Sequence, residues 1–484
     1  MPAVYEWPRR SEFLGRGEEL ERLEAWWASD ERMPVNLYGR RRVGKSWLLR
    51  RFAHGKPAVI LVADRLAEGA QLSRFARQLA PLVGGVTPDL PDVATLVRTL
   101  FRLAGQTQLL AVIDEFPWLL GTTASASERV LSEVQAVMEE ERDTSRLKLV
   151  LCGSAVGQME ALQSERSALH GRLVPLEVRT LDYGGAEPYL RAHQGVERFT
   201  RYAVAGGMPR YLAAIADGPL EAAIVDQVLR PDAPLWNEGR TIVGQELREP
   251  AMYFALLEQL ASGAKTPSEL ANALRRSTSE VSAYLANLGS LRLVRRETPI
   301  GAEPGGRISN WELADPFLRF WFRFVFPYQS DLEAGLDARA LYRAEVAPAL
   351  ADHVSPAFEA QCRTFVRSTL GDEVTRVGRW WGKARHELRR VGRRSTEEID
   401  IVGLLRGQVT VVGEAKWTSR SMDLATLRDL QEHKLPALRQ SGFRIASEPT
   451  TVLMSRSGFT RRLMERAGED PQLRLFSATD VLSG

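Results

Sequence analysis

The chain has 484 residues, 44 % apolar and 26 % charged, a balance that belongs to folded globular proteins and excludes wholesale disorder. At ~150 residues per domain, this length accommodates about three domains. Lys plus Arg (64) exceeds Asp plus Glu (61) by only three, so a polyanion site has to be a local patch, and the two cysteines, Cys152 and Cys362, exclude a disulfide framework or a cysteine zinc site. No apolar run reaches the ~20 residues that a bilayer requires. The nearest, Phe317 to Phe326, is broken by Arg319 and Arg323. The first fifteen residues, MPAVYEWPRRSEFLG, lack the pattern of a secretory signal, so the expectation is a cytoplasmic protein without a membrane partner.

Residues 35–178 alternate short apolar runs with amphipathic stretches. Val35–Tyr38, Ala58–Val62, Leu109–Asp114, Leu147–Cys152 and Leu173–Val178 read as strands, and Gln71–Leu82 and Ser125–Glu141 as helices, with Ser125 and Glu128 spaced as a capping box. Such alternation predicts a parallel sheet covered on both faces. Residues 180–245 read as a helical lid, which closes a first domain over 1–245.

Within that domain, Gly39-Arg40-Arg41-Arg42-Val43-Gly44-Lys45-Ser46 fits GxxxxGK[ST] between a strand and a helix. Backbone N–H groups of such a loop wrap phosphate oxygens, aided by the positive end of the following helix. Lys45 is expected to reach the β- and γ-phosphates of ATP, and the Ser46 hydroxyl to bind Mg²⁺. The strand Leu109–Asp114 ends in two carboxylates: Asp114 is placed beside the metal and Glu115 one step out, to polarise a water. Ser154, at the tip of the next strand, is the candidate γ-phosphate sensor.

Together with Phe13-Leu14-Gly15-Arg16-Gly17-Glu18-Glu19-Leu20, the strand-end Ile113-Asp114-Glu115-Phe116 and Gly206-Gly207-Met208-Pro209-Arg210-Tyr211-Leu212, this loop resembles the archaeal-type AAA+/STAND ATPases. The resemblance implies a RecA-like sheet with a helical lid, and places Gly15, Arg16 and Gly206–Pro209 near adenine and lid. His170-Gly171-Arg172 resembles that group's GR segment, which makes Arg172 the candidate arginine finger or sensor. A finger acting in trans implies a homo-oligomer.

In the second block (246–313), Thr266-Pro267-Ser268-Glu269 and Ser277-Thr278-Ser279-Glu280 are successive helix starts. Val281, Tyr284, Leu285 and Leu288 follow at helical spacing. Leu291–Glu297 and Arg307–Leu313 flank a Gly/Pro turn, and three helices with a hairpin make a winged helix-turn-helix pattern. Arg275, Arg276, Arg295, Arg296 and Arg307 are candidate phosphate contacts. Residues 314–330 read as a linker whose aromatics, Phe317, Phe320, Trp321, Phe322, Phe324, Phe326 and Tyr328, pack on a neighbouring domain.

The last block, 331–484, returns to mixed α/β. A helix near Pro356–Leu370 precedes strands near Glu397–Leu405 and Gln408–Ala415, then a helix over Leu424–Ser441, a strand over Thr450–Met454 and a helix over Gly458–Arg466. Asp400 on one strand of the hairpin faces Glu414 and Lys416 on the other, and period two puts Glu414 and Lys416 on one face. Carboxylate oxygens suit Mg²⁺ and lysine suits a phosphate or a nucleophilic water. The spacing D-x13-E-x-K resembles the PD-(D/E)xK restriction-endonuclease-like nucleases, with Ile399 where the name-giving proline would stand. That resemblance makes Glu359, in the preceding helix, a further metal ligand. The block also resembles the domain that follows winged helices in the archaeal-type ATPases.

Between these elements lies a basic run, Arg376, Arg379, Lys383, Arg385, Arg389, Arg390, Arg393 and Arg394 against Glu387, with Trp380 and Trp381 interleaved, which reads as a surface for a phosphate backbone. The expectation is an α/β multidomain protein that hydrolyses ATP, binds nucleic acid, DNA foremost, and cuts a phosphodiester with Mg²⁺. The competing expectation is a STAND-type ATPase switch, regulating transcription or signalling, whose last domain grips DNA without cutting it.

Overall fold

The computed structural model describes residues 14–247, 250–303, 309–384 and 395–483. Phe13, Arg307, Arg385, Glu387, Arg389, Arg390, Arg393 and Arg394 lie outside the described residues. The chain divides into two compact units, Met1–Leu181 with Ser290–Arg292, and Asp182–Gly289 with Leu293–Gly484.

Five strands form the sheet of the first unit: β1 (Val35–Tyr38), β2 (Ala58–Val62), β3 (Leu109–Asp114), β4 (Leu147–Gly153) and β5 (Val174–Glu177). Their order is β2-β3-β4-β1-β5, and each neighbouring pair is parallel. Every residue of β3 and β4 is buried, which is why both strands read as unbroken apolar runs. Lys148 is the exception in β4. Its ammonium donates to the carbonyls of Trp26 (2.8 Å), Ser29 (2.8 Å) and Glu31 (2.6 Å), so it closes the C-terminal end of the helix Gly17–Ala28. The helix Ala124–Glu141 starts one step earlier than the sequence implies. Thr123, not Ser125, is the N-cap and accepts from Ala126 N, because Thr123 has the extended backbone that a cap needs.

In the second unit, the helices Pro250–Ala261, Pro267–Leu274 and Thr278–Ser290 precede an antiparallel hairpin of β6 (Val294–Glu297) and β7 (Asn310–Leu313). Thr266 and Glu269 make the full capping box, and Ser277 accepts from Glu280 N at 3.3 Å. Residues 316–324, expected as part of a linker, are a helix, Pro316–Phe324, with Phe317, Phe320, Trp321, Phe322 and Phe324 all buried. Asp315 caps it and Pro316 stands at its first turn. Trp321 lies so close to Gly239 that a Cβ there would come within 2.2 Å of its ring, so only glycine fits.

The second sheet is mixed, with order β12-β11-β10-β9-β8: β8 (Arg376–Lys383), β9 (Thr396–Leu405) and β10 (Gln408–Lys416) are antiparallel, and β11 (Ile445–Ser455) and β12 (Leu473–Ser477) run parallel to β10. Arg406 (φ 52°) and Gly407 (φ 81°) make the tight β9–β10 turn. The helix Ala347–Thr369 covers one face, and its Val354, Phe358 and Cys362 share a core with Tyr183, Phe199, Ala203 and Trp417. The start of the basic run, expected as a surface for a phosphate backbone, is an edge strand, β8, in which Arg379 and Trp380 are buried. Among the described residues, no helix is long and apolar enough to cross a membrane.

Candidate functional site

The phosphate loop leaves β1 through Gly39, where a Cβ would meet the Val178 carbonyl at 2.1 Å. Arg42 (φ 69°) and Gly44 (φ 99°) hold left-handed conformations that turn the loop onto the helix Lys45–Ala53, whose first turn has no side-chain cap. Such a loop and an open helix N-terminus present backbone donors to an anion. Arg16 donates to the Val43 carbonyl at 2.7 Å and pairs with Glu19 at 2.8 Å, which ties the preceding helix start to the loop.

Lys45 is buried, and its ammonium donates to the carbonyls of Gly39 (2.7 Å) and Arg40 (3.0 Å). Burial lowers its pKa, opposed by Cys152, Glu115 and Asp114. The Ser46 hydroxyl donates to Asp114 Oδ2 at 2.9 Å, joining the loop to the end of β3. Hydroxyl and carboxylate oxygens placed side by side are the hard donors that magnesium takes, so the residues present fit that ion.

Sheet order puts the tip of β4 between the ends of β1 and β3. Ser154 there donates to Glu115 Oε2 from its backbone N (3.1 Å) and its hydroxyl (2.8 Å), while Arg41 Nε reaches the same hydroxyl at 3.4 Å. Glu115 itself is left-handed (φ 56°), an uncommon state for this residue type that turns its carboxylate toward Ser154. Thus Lys45, Ser46, Asp114, Glu115 and Ser154 come together. Arg172 is tied elsewhere, to Glu139 of the helix Ala124–Glu141 at 2.7 Å. In the second unit, Gly206 (φ 64°) ends the helix Gly195–Ala205, Pro209 opens the next, and Tyr211 donates to Glu238.

A second cluster stands on β9 and β10. Asp400 Oδ2 accepts from Ala415 N at 3.1 Å and from Lys416 Nζ at 3.2 Å; Lys416 also reaches Glu414 Oε2 at 3.0 Å. Lys434 lies 2.7 Å from the other oxygen, Glu414 Oε1. Burial, then Asp400, raises the pKa of Glu414, and the two lysines oppose this. Glu359 on the helix Ala347–Thr369 is pushed up to about 7 by burial and by Asp400. Among the described residues, no three His, Cys, Asp or Glu side chains are arranged to hold a metal ion. Glu359, Asp400 and Glu414 are thus no ready cage, because Lys416 stands between Asp400 and Glu414. Two hard carboxylates are nevertheless what magnesium takes from a protein, the remainder coming from water and phosphate, so the donor set fits.

Arg379, expected on a phosphate surface, is instead paired with Glu297 of β6 (2.9 Å) and with Glu398 of β9. Arg295 is likewise held by Glu312 at 2.8 Å. Sequence reasoning missed Lys434 and the Arg379 pairs, because contacts between a helix and a strand, or between strands far apart in the chain, leave no local signal.

The family described as an ATPase domain predominantly from Archaea matches residues 13–215. Residues 321–427 match a family described as archaea bacterial proteins of unknown function. An uncharacterized protein of Methanocaldococcus jannaschii is 25 % identical over 417 residues, 84 % of this chain and 87 % of the relative. An uncharacterized ATP-binding protein of the same organism is 48 % identical over 44 residues, 9 % of this chain and 75 % of the relative. Among solved structures, the Walker-type ATPase of Pyrococcus abyssi aligns with TM-score 0.46 and 19 % identity over 66 % of this chain and 98 % of that one. The Aeropyrum pernix ORC2 protein aligns with TM-score 0.42 and 15 % identity over 70 % and 97 %.

Proposed function

We propose that the chain couples ATP hydrolysis to cleavage of a nucleic-acid strand, DNA foremost. In the first site, Lys45 exchanges its two carbonyl partners for β- and γ-phosphate oxygens, a charge-assisted gain. Ser46 and Asp114 would hold the magnesium ion. Glu115, released from Ser154, takes up the position from which it orients a water on the γ-phosphate. Ser154 is then free to meet that phosphate, so one hydroxyl reports which state the site is in.

In the second site, Asp400 and Glu414 would hold the metal, with Lys416 donating to the scissile phosphate or to the attacking water. Magnesium there supplies Lewis-acid polarisation of the phosphoryl group and lowers the pKa of a bound water. A helix, a three-strand meander carrying both carboxylates, a second helical segment and two further parallel strands is the arrangement expected of a restriction-endonuclease-like domain, and supports that reading. The three helices with the β6–β7 hairpin support a winged helix, with Arg275, Arg276 and Arg296 directed to phosphates.

The observation that carries the cleavage reading is Lys416 bridging Asp400 and Glu414 on adjacent strands. Its test is nicking of single-stranded, double-stranded and branched DNA with Mg²⁺ or Mn²⁺, with and without ATP. Wild type is expected to cut, and Asp400→Ala to lose at least ~100-fold while its ATPase rate stays unchanged. No cutting by wild type on any substrate rejects this reading. The second reading, an ATPase switch with a non-cutting DNA grip, is favoured by one observation: both oxygens of Glu414 already face lysines.

A further inference from the structure

Lys434 is unused by the cleavage reading. It ends the π-helical stretch Leu430–Lys434, set between the helical turns Leu424–Asp429 and Leu435–Gln440. A π turn inserts an extra residue and rotates the next turn of helix by about one residue's angle, a device frequent at functional sites. Here the rotated residue meets a carboxylate on β10. Glu414 has only 1 % of its side chain exposed, Lys434 14 % and Lys416 41 %. The two lysines therefore differ: Lys416 stands at the solvent side, shared with Asp400, while Lys434 is sheltered and aimed at one oxygen.

A cation held 2.7 Å from Glu414 Oε1 covers one of the two carboxylate oxygens that a divalent ion there would use. Two positive charges cannot share that place in a buried setting, where like-charge repulsion is strong. We propose that Lys434 is a place-holder for the metal: it covers Glu414 while the site is empty, leaves when a divalent cation loads, and then pairs with a backbone phosphate of the bound strand. This rests on the cleavage reading. It makes loading and strand capture one exchange, because the ammonium that the metal evicts needs an anion and the strand supplies one.

The test uses the full chain, Mn²⁺ as the probe and electron paramagnetic resonance titration without nucleic acid. Lys434→Met is expected to bind Mn²⁺ about tenfold tighter than wild type, as removal of a competing charge requires. Lys434→Arg, which keeps the charge, is expected to bind no tighter than wild type and serves if the methionine variant fails to fold. In Ca²⁺, the salt dependence of oligonucleotide binding should lose about one unit of slope in Lys434→Met. Equal or weaker Mn²⁺ binding by a folded Lys434→Met, or tighter binding by Lys434→Arg, overturns the place-holder role. The Asp400→Asn control separates the two claims: if wild-type Mn²⁺ binding does not depend on Asp400, the cleavage reading falls and takes this inference with it.

Discussion

Each of the two sites carries a lysine beside a pair of carboxylates, yet the lysines are held in opposite ways. Lys45 donates to neutral backbone carbonyls and burial lowers its pKa. Lys416 donates to two ionic oxygens, Asp400 Oδ2 and Glu414 Oε2, and their charge outweighs burial to raise its pKa. The first arrangement gives the ammonium only neutral carbonyls as direct partners, so an arriving triphosphate displaces no ion pair there. The second is nearly neutral at rest, so a ligand there has to break an ion pair before it gains anything. Buried pairs of that kind are costly to open unless a replacement charge arrives with the change.

The strongest blow to this contrast is Lys45→Ala. Nucleotide binding, measured with a fluorescent ATP analogue, and phosphate release should both fall more than ~100-fold, with the circular dichroism melt preserved. Retained hydrolysis means that the lysine does not serve the phosphates. Glu115→Gln sharpens the first site further. Binding is expected to stay near wild type while turnover drops ~100- to 1000-fold, the range for a lost general base. Normal turnover would mean that Glu115 does not orient the water.

The smallest expected effect concerns the frame behind the second site. His353 is fully buried, with Nε2 3.1 Å from the Ala203 carbonyl, and burial followed by Arg319 holds its pKa well below 6.5. Above pH 6.5 both folded and unfolded chains keep it neutral. Below that, only the unfolded chain takes up the proton, so stability falls as pH drops, by up to ~1.4 kcal/mol per unit. Urea midpoints at pH 7.5, 6.5 and 5.5 should show this fall, and His353→Leu should flatten it. An identical slope in the variant removes His353 from the account.

The first sheet was legible almost to the residue: β1, β2 and β3 have the limits expected, because strands buried on both faces announce themselves as apolar runs. The phosphate loop was legible because its chemistry is local. Edge strands β8 and β12 were not. In β8, the residues Arg376, Arg379 and Lys383 make a strand look like a charge run, and the sequence holds no sign that Glu297 and Glu398 will neutralise Arg379. The helix expected over 424–441 was found, but its π stretch was not, and the Lys434–Glu414 contact depends on that one-residue rotation. Long-range ion pairs are set by tertiary packing, and neither periodicity nor spacing encodes them.

Phe199 touches both Phe358 and Trp417, with ring centroids 6.0 Å and 5.3 Å away. Phe199 belongs to the helix that ends at Gly206, the start of the GGMPRYL turn, and Trp417 follows Lys416 directly. Three packed rings join that helix to the strand that bears Glu414 and Lys416, so stretches far apart in the linear order of the chain share one aromatic core.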